Sequence, residues 1–180
     1  QVTVEELAQR ADVSRATFYL HYRDKDELLL DYFSGIVASR IQRFADFPLS
    51  ALRAEMDGLD QELLLPLSER PIAGIFQHAA EHAALYRLAL REDCASRVAG
   101  QLQQITVTAL DDLLHNKVKE AGLETGLLAP LDLVAHTFVA AFLACLTWWL
   151  DQGMPYPPQQ MAQIFRTLFF PGIRRAFGID

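Results

Sequence analysis

An all-α fold is predicted for this chain by three observations. Apolar residues recur at the 3.6-residue helical period along most of its length, alternating β-branched runs bounded by turns are missing, and Pro and Gly mark the breaks between periodic segments. Hydrophobic residues make up 51% and charged residues 22% of the 180, the composition of an ordered globular protein. That length allows one sizeable core, or a small module joined to a larger one.

The helices can be taken in order. Thr3-Val4-Glu5-Glu6 has capping-box spacing, with Thr3 accepting from the backbone and Glu6 reaching back. It starts a helix whose apolar residues Val4, Leu7, Ala8 and Ala11 share a face, and Asp12-Val13 then makes a tight turn. Ser14 is a natural N-cap for a short helix to about His21. Asp24-Lys25-Asp26-Glu27 opens a third helix, its acidic groups suited to the positive end of the dipole, and Pro48 prevents continuation beyond about Ala45. Further helices are expected at about 49–64, 69–82, 84–92, 95–121, 130–152 and 158–176. Pro66, Pro71, Gly122, Gly126, Pro130, Gly153 and Pro155–Pro158 separate them. The predicted organisation is a head with its connecting helix over residues 1–47 and a larger helical domain over 48–180.

Charge constrains what the head can do. The whole chain is −7, and residues 1–47 carry six basic and eight acidic side chains, a balance of −2. Any nucleic-acid contact must therefore come from a few placed side chains, because a general basic field is absent. Cys94 and Cys145 belong to no C-x-x-C motif and read as reduced, packed thiols of a cytoplasmic protein. No signal peptide precedes the first motif, and the start at Gln1, within a loop and without Met, suggests that an N-terminal segment is missing.

A helix-turn-helix reader needs one helix crossing the DNA backbone, a tight turn, and a second helix presenting its N-terminal residues to the major groove. Residues 3–22 supply these parts in order. Arg15 and Thr17 stand near the start of the second helix, where Arg15 can pair bidentately with guanine and Thr17 can hydrogen-bond or meet a thymine methyl. Ala16, beside the cap Ser14, is small enough for close approach, and Thr3, Tyr19, His21 and Lys25 are placed to reach phosphates. Phe18, Leu7, Ala8 and Val13 read as the core of the module, with Tyr22 a packing aromatic.

The run from Thr3 through Val13-Ser14-Arg15-Ala16-Thr17-Phe18-Tyr19-Leu20-His21-Tyr22 to Lys25-Asp26-Glu27-Leu28-Leu29 resembles the TetR/AcrR family signature. Asp12 stands where that family usually has Gly, and Asp tolerates the left-handed conformation better than most residues. The family's first helix has no counterpart here. The resemblance implies a two-fold homodimer on a near-palindromic double-stranded operator, and a repressor that leaves DNA when a small molecule binds the C-terminal domain. It also implies that the last two long helices, about 130–152 and 158–176, pair with those of a second copy. Phe138, Ala141, Ile164, Leu168 and Phe169 are the residues expected at that interface.

Leu131–Leu150 is almost wholly apolar, but Asp132 and His136 interrupt it, which favours a buried helix over a membrane span. An apolar effector pocket is expected from Met56, Phe76, His82, Tyr86, Phe142, Cys145, Trp148 and Trp149, whose aromatic character suits a small hydrophobic or planar ligand. His78-Ala79-Ala80-Glu81-His82 has the H-x-x-E-H spacing of inverted zinc peptidases, yet the all-α context supplies neither a third ligand nor that scaffold. The pair reads as one solvated and one hydrogen-bonded histidine, with no metal or other cofactor expected. No Gly-rich phosphate loop, G-x-S-x-G elbow or Cys/His pair supports an enzyme. The remaining alternative is a helical interaction or metal-sensing module of the same fold that binds no operator.

Overall fold

The computed structural model describes residues 3–46, 71–90, 92–121 and 127–177, and among them every regular element is a helix. In chain order these are α1 (Val4–Arg10), α2 (Arg15–His21), α3 (Lys25–Asp46), α4 (Pro71–Glu81), α5 (Ala83–Leu90), α6 (Glu92–Ala121), α7 (Leu131–Asp151) and α8 (Pro158–Ala176). The expected helix over 49–64, and Met56 with it, lies outside the described residues, as does the side chain of Cys94.

The head is set by its caps. Thr3 Oγ1 accepts from Glu6 N at 3.2 Å while Glu6 Oε2 accepts from Thr3 N at 2.8 Å, so both halves of the capping box form. These bonds hold the Glu6 carboxyl below its usual range. At the other end of α1, Asp12 N donates to Gln9 O and Val13 N to Ala8 O, the crossed pair of a Schellman motif. That motif needs a left-handed residue in the position Asp12 occupies, and Asp12 has φ 53°. Ser14 Oγ then accepts from Thr17 N at 3.0 Å and caps α2.

Two seven-residue helices bury little. Ala8 and Phe18 are the buried residues of α1 and α2, Leu7 is half-buried, and Val13 is 42% exposed rather than in the core. Tyr22 packs its ring on Phe18 and donates from its hydroxyl to Asp31 Oδ2 at 2.9 Å, tying α2 to α3. That hydrogen bond raises the Tyr22 pKa.

The principal core lies between α3, α4, α5, α7 and α8, with part of α6. Phe76, Trp149 and Phe165 are fully buried there, from α4, α7 and α8 respectively. Phe76 meets Trp149 edge-on with centroids 5.4 Å apart, and Phe142 links Phe76 to Phe165 at 5.2 Å from each. Phe33 brings α3 in through an edge contact with Tyr86 of α5 at 5.0 Å. A smaller cluster, Val107, Leu110, Ala135 and Val139, joins α6 to α7.

The end of α7 repeats the motif that ends α1. Gly153 N donates to Leu150 O and Met154 N to Trp149 O, with Gly153 at φ 74°. Leu150 O also accepts from Arg87 Nε and Nη2, at 3.2 and 2.7 Å, and Trp149 Nε1 donates to Tyr156 O at 2.9 Å. The carbonyls of Trp149 and Leu150, near the C-terminus of this apolar helix, are thus satisfied within the fold. α7 is long and apolar enough to cross a membrane by length and composition. Its face bearing Val134, Phe142, Leu146, Trp149 and Leu150 is packed against the other helices.

The turn at Asp12 can be tested by substitution. A β-branched Val there is expected to destabilise the α1–α2 unit by about 1–2 kcal/mol, since left-handed geometry crowds its Cβ. Asp12→Gly is expected to hold or raise its stability. Amide hydrogen exchange across α1 and α2 measures both, and equal protection in the two variants would remove the turn's role.

Candidate nucleic-acid interface

α2 is short, capped and only anchored on one side. Phe18 is its buried residue, pinned by the rings of Tyr19 at 5.4 Å and Tyr22 at 5.8 Å. Everything else on α2 except the half-buried Thr17 is exposed. Arg15, Ala16 and Tyr19 therefore share an outward surface, one helical turn linking Arg15 to Tyr19.

Not every expected contact residue is equally available. Thr17 is half-buried, and its hydroxyl is paired with Ser14 Oγ at 2.9 Å, so both hydroxyls are engaged in the cap. Thr3, also exposed, is engaged in the capping box. His21 is exposed at the end of α2, and Lys25 is half-buried at the first position of α3. Two features were not anticipated from the sequence. Arg15 Nη1 lies 3.7 Å from Glu5 Oε2, an exposed ion pair across the helix-turn-helix. Leu20 is 81% exposed beside Tyr19, an apolar side chain on the same outward helix. The helical phase of α2 is the signal for Leu20, since it falls opposite to Phe18; the Glu5 contact depends on how the two helices cross.

The residues expected to line an effector pocket are distributed differently. Phe76, Trp149 and Phe142 are buried against one another, and Tyr86 is buried against Phe33. Cys145 is a half-buried free thiol whose pKa burial pushes up. His82 is exposed, and Trp148 is 49% exposed, since adjacent positions on a helix face different ways. The structure therefore brings Phe76, Phe142, Tyr86, Cys145 and Trp149 to the principal core or its edge, and sets Trp148 on the outer face of α7.

His78 and His82 lie with ring centroids 4.4 Å apart, and His78 Nδ1 is 3.1 Å from the Tyr86 hydroxyl. No group of three metal-ligating side chains occurs among the described residues. Of the expected interface residues, Phe138 and Phe169 pack edge-on and stacked on Phe165, Ala141 and Ile164 are half-buried, and Leu168 is 66% exposed. The outer face of α7 also exposes Leu133, Ala140 and Ala144 in line with Trp148.

Comparison with known proteins agrees with this architecture. The chain is 26% identical over 167 residues to the uncharacterized HTH-type transcriptional regulator YxbF of Bacillus subtilis, covering 91% of this chain and 38% of that protein. It is 26% identical over 158 residues to an uncharacterized HTH-type transcriptional regulator of Mycobacterium tuberculosis, covering 85% of this chain and 62% of the other. The chain thus spans 38% of the first relative's length and 62% of the second's. Among solved structures, the fatty acid degradation regulator FadR from Bacillus halodurans superposes with a TM-score of 0.62 at 19% identity, covering 96% of this chain and 89% of that one. The transcriptional regulator FadR from Bacillus subtilis, solved in complex with stearoyl-CoA, does so with a TM-score of 0.60 at 16% identity and the same coverage. Residues 1–32 match the bacterial regulatory proteins of the tetR family, and residues 69–170 match a transcriptional regulator C-terminal region of the same group. With that second match spanning more than half of its length, the chain belongs to the TetR family of DNA-binding bacterial transcription regulators.

Proposed function

We propose that the chain is a ligand-responsive repressor that binds a near-palindromic operator as a homodimer, reading DNA through residues 1–47 and sensing its effector through residues 48–180. The observation that carries the DNA-reading role is the outward surface of α2, on which Arg15, Ala16 and Tyr19 are exposed while Phe18 anchors the helix. Arg15 addresses a guanine edge, Ala16 permits close approach, and Tyr19, His21 and Lys25 meet phosphates. Thr3, Ser14 and Thr17 act at the same surface chiefly by holding α1 and α2 in place, because their hydroxyls are committed to caps. The Glu5–Arg15 pair does not prevent this. An exposed ion pair is worth about 0.2–1 kcal/mol, less than the roughly 1–3 kcal/mol of a bidentate guanine contact.

The homodimer is supported by the outer faces of α7 and α8. Leu133, Ala140, Ala144 and Trp148 on α7, and Leu168 on α8, combine exposed apolar side chains with small residues that allow helices to approach. Phe138, Ala141, Ile164 and Phe169 support that face from beneath, being partly buried against the core. Ligand response is supported by the stearoyl-CoA complex of the structurally similar regulator, with the largely aromatic cluster of Phe76, Phe142, Tyr86, Cys145 and Trp149 as the apolar region an effector would enter. The effector this favours is largely hydrophobic or aromatic.

Gel shifts against an operator selected from random DNA test the reading head. Arg15→Ala is expected to weaken binding by about 1–3 kcal/mol and relax preference at one base pair per half-site. Tyr19→Ala weakens binding without changing preference, and Glu5→Gln leaves it equal or tighter. Unchanged affinity and preference in Arg15→Ala and Tyr19→Ala would overturn the assignment. Sedimentation velocity tests the assembly: a dimer is expected, and Leu168→Glu with Trp148→Glu is expected to yield monomers with intact helicity.

A further inference from the structure

Arg40 occupies an unusual place on α3. It is in phase with Phe33, Ile36 and Phe44, so the helix turns this cation toward the core it shares with α4 and α5. Its guanidinium lies over the bare backbone of Gly74, where an added Cβ would come within 3.0 Å of Nη1. Gly74, His78 and His82 follow at four-residue intervals, and the His82 N–H still donates to His78 O, so all three share one continuous helical row. Guanidinium, imidazole and imidazole are thus set along one helical row. Tyr86, itself buried, sets its hydroxyl 3.1 Å from His78 Nδ1.

Every one of these groups can donate a hydrogen bond, and three can carry positive charge. Among the described residues no carboxylate or carbonyl is hydrogen-bonded to Arg40. The nearby acid, Glu81, is exposed and receives Gln77 Nε2 at 2.8 Å. A divalent cation is disfavoured here by the fixed guanidinium, while a carboxylate or phosphate would meet donors on three helices.

We propose that Arg40, His78, His82 and Tyr86 form an anion-binding site that takes the carboxylate or phosphate group of an acidic effector. The proposal rests on the ligand-responsive reading above and specifies its ligand class. It also supplies a means of response. An anion bridging Arg40 to His78 and His82 ties the connector α3 to α4 and α5, which biases the position of the helix that carries the head.

Protonation follows from the surroundings. The His78 pKa is lowered by burial, by His82 and by Arg40, against an opposing pull from Glu81, a net effect that favours the neutral imidazole. Arg40 itself is lowered by burial and by Arg43, while Tyr86 and Glu81 favour its charge. Burial and the neighbouring Tyr32 push the Tyr86 phenol up to about 12 against the pull of Arg40, so it stays a donor. An anion beside His78 raises that imidazole's pKa and recruits a proton, so affinity rises as pH falls through the imidazole range.

Calorimetric titration of the full chain with dodecanoate, dodecanol and inorganic phosphate tests the site. Dodecanoate is expected to bind at least about tenfold more tightly than dodecanol, since a charge-assisted hydrogen bond distinguishes them. Arg40→Gln removes that difference and leaves dodecanol unchanged, whereas Arg40→Lys retains part of it. His78→Gln, a milder change, abolishes the rise in acid affinity from about pH 8 to about pH 6. Equal affinity for acid and alcohol, a difference that survives both Arg40→Gln and His78→Gln, or no binding of any probe overturns the site. Phosphate binding that depends on Arg40 while neither chain-bearing probe binds or releases DNA keeps the anion site and removes the effector reading. Equal binding of acid and alcohol with release of DNA does the reverse.

Discussion

The mutual burial of Phe76, Trp149 and Phe165 is the contact on which the larger part of the molecule depends. Each ring comes from a different helix and none retains solvent exposure. Burying such a side chain is worth about 1.5–3 kcal/mol, and edge-on aromatic geometry adds about 0.5–1.5 kcal/mol per pair. α4, α7 and α8 are therefore held to one another by area rather than by ion pairs. The Arg87 guanidinium on Leu150 O and the Trp149 indole on Tyr156 O then fix where α7 ends. α3 joins the same core by Phe33 on Tyr86, and Lys117 of α6 donates to Ala45 O near its far end. What happens in the core around Tyr86 is thus mechanically adjacent to the helix leading to the head.

Local chemistry made the head readable from sequence. The Thr3/Glu6 capping box, the Ser14 cap and the left-handed turn at Asp12 each depend on residues within five positions of one another, and each forms. The breaks at Pro130 and Gly153 are legible for the same reason. Contacts between helices are another matter. Aromatic character placed Trp148 and Trp149 together as pocket candidates, but packing decides which of the two is buried and which faces outward. Val13 is apolar and next to the turn, yet two short helices cannot cover it. The Glu5–Arg15 pair depends on a crossing angle, which no spacing encodes. Arg40 was readable in principle, being in phase with Phe33, Ile36 and Phe44, but a cation on an apolar row is easily taken for a snorkelling side chain.

The acidic balance of residues 1–47 has a structural counterpart in that ion pair. Arg15 meets Glu5 of α1 in an exposed pair of small energy, which leaves the guanidinium at the surface. On the proposed reading, residues 1–47 work through the accurate placement of a few side chains rather than through a general basic field. In the proposed homodimer, the head's geometry relative to a second head is then the sensitive quantity.

The connector sets that geometry. α3 is a single helix of 22 residues, about 33 Å long at the usual rise. It is clasped near one end by Tyr22 on Asp31 and near the other by Lys117 on Ala45 O, so it behaves as a stiff lever with two bearings. A tilt of about 5° at the core end carries the other end by about 3 Å. In a symmetric pair the two displacements add, giving a change in head separation of roughly 6 Å, a large fraction of the DNA major-groove width of about 12 Å. In the proposed homodimer, a motion too small to disturb the aromatic core is therefore enough to put two reading helices out of step with successive grooves.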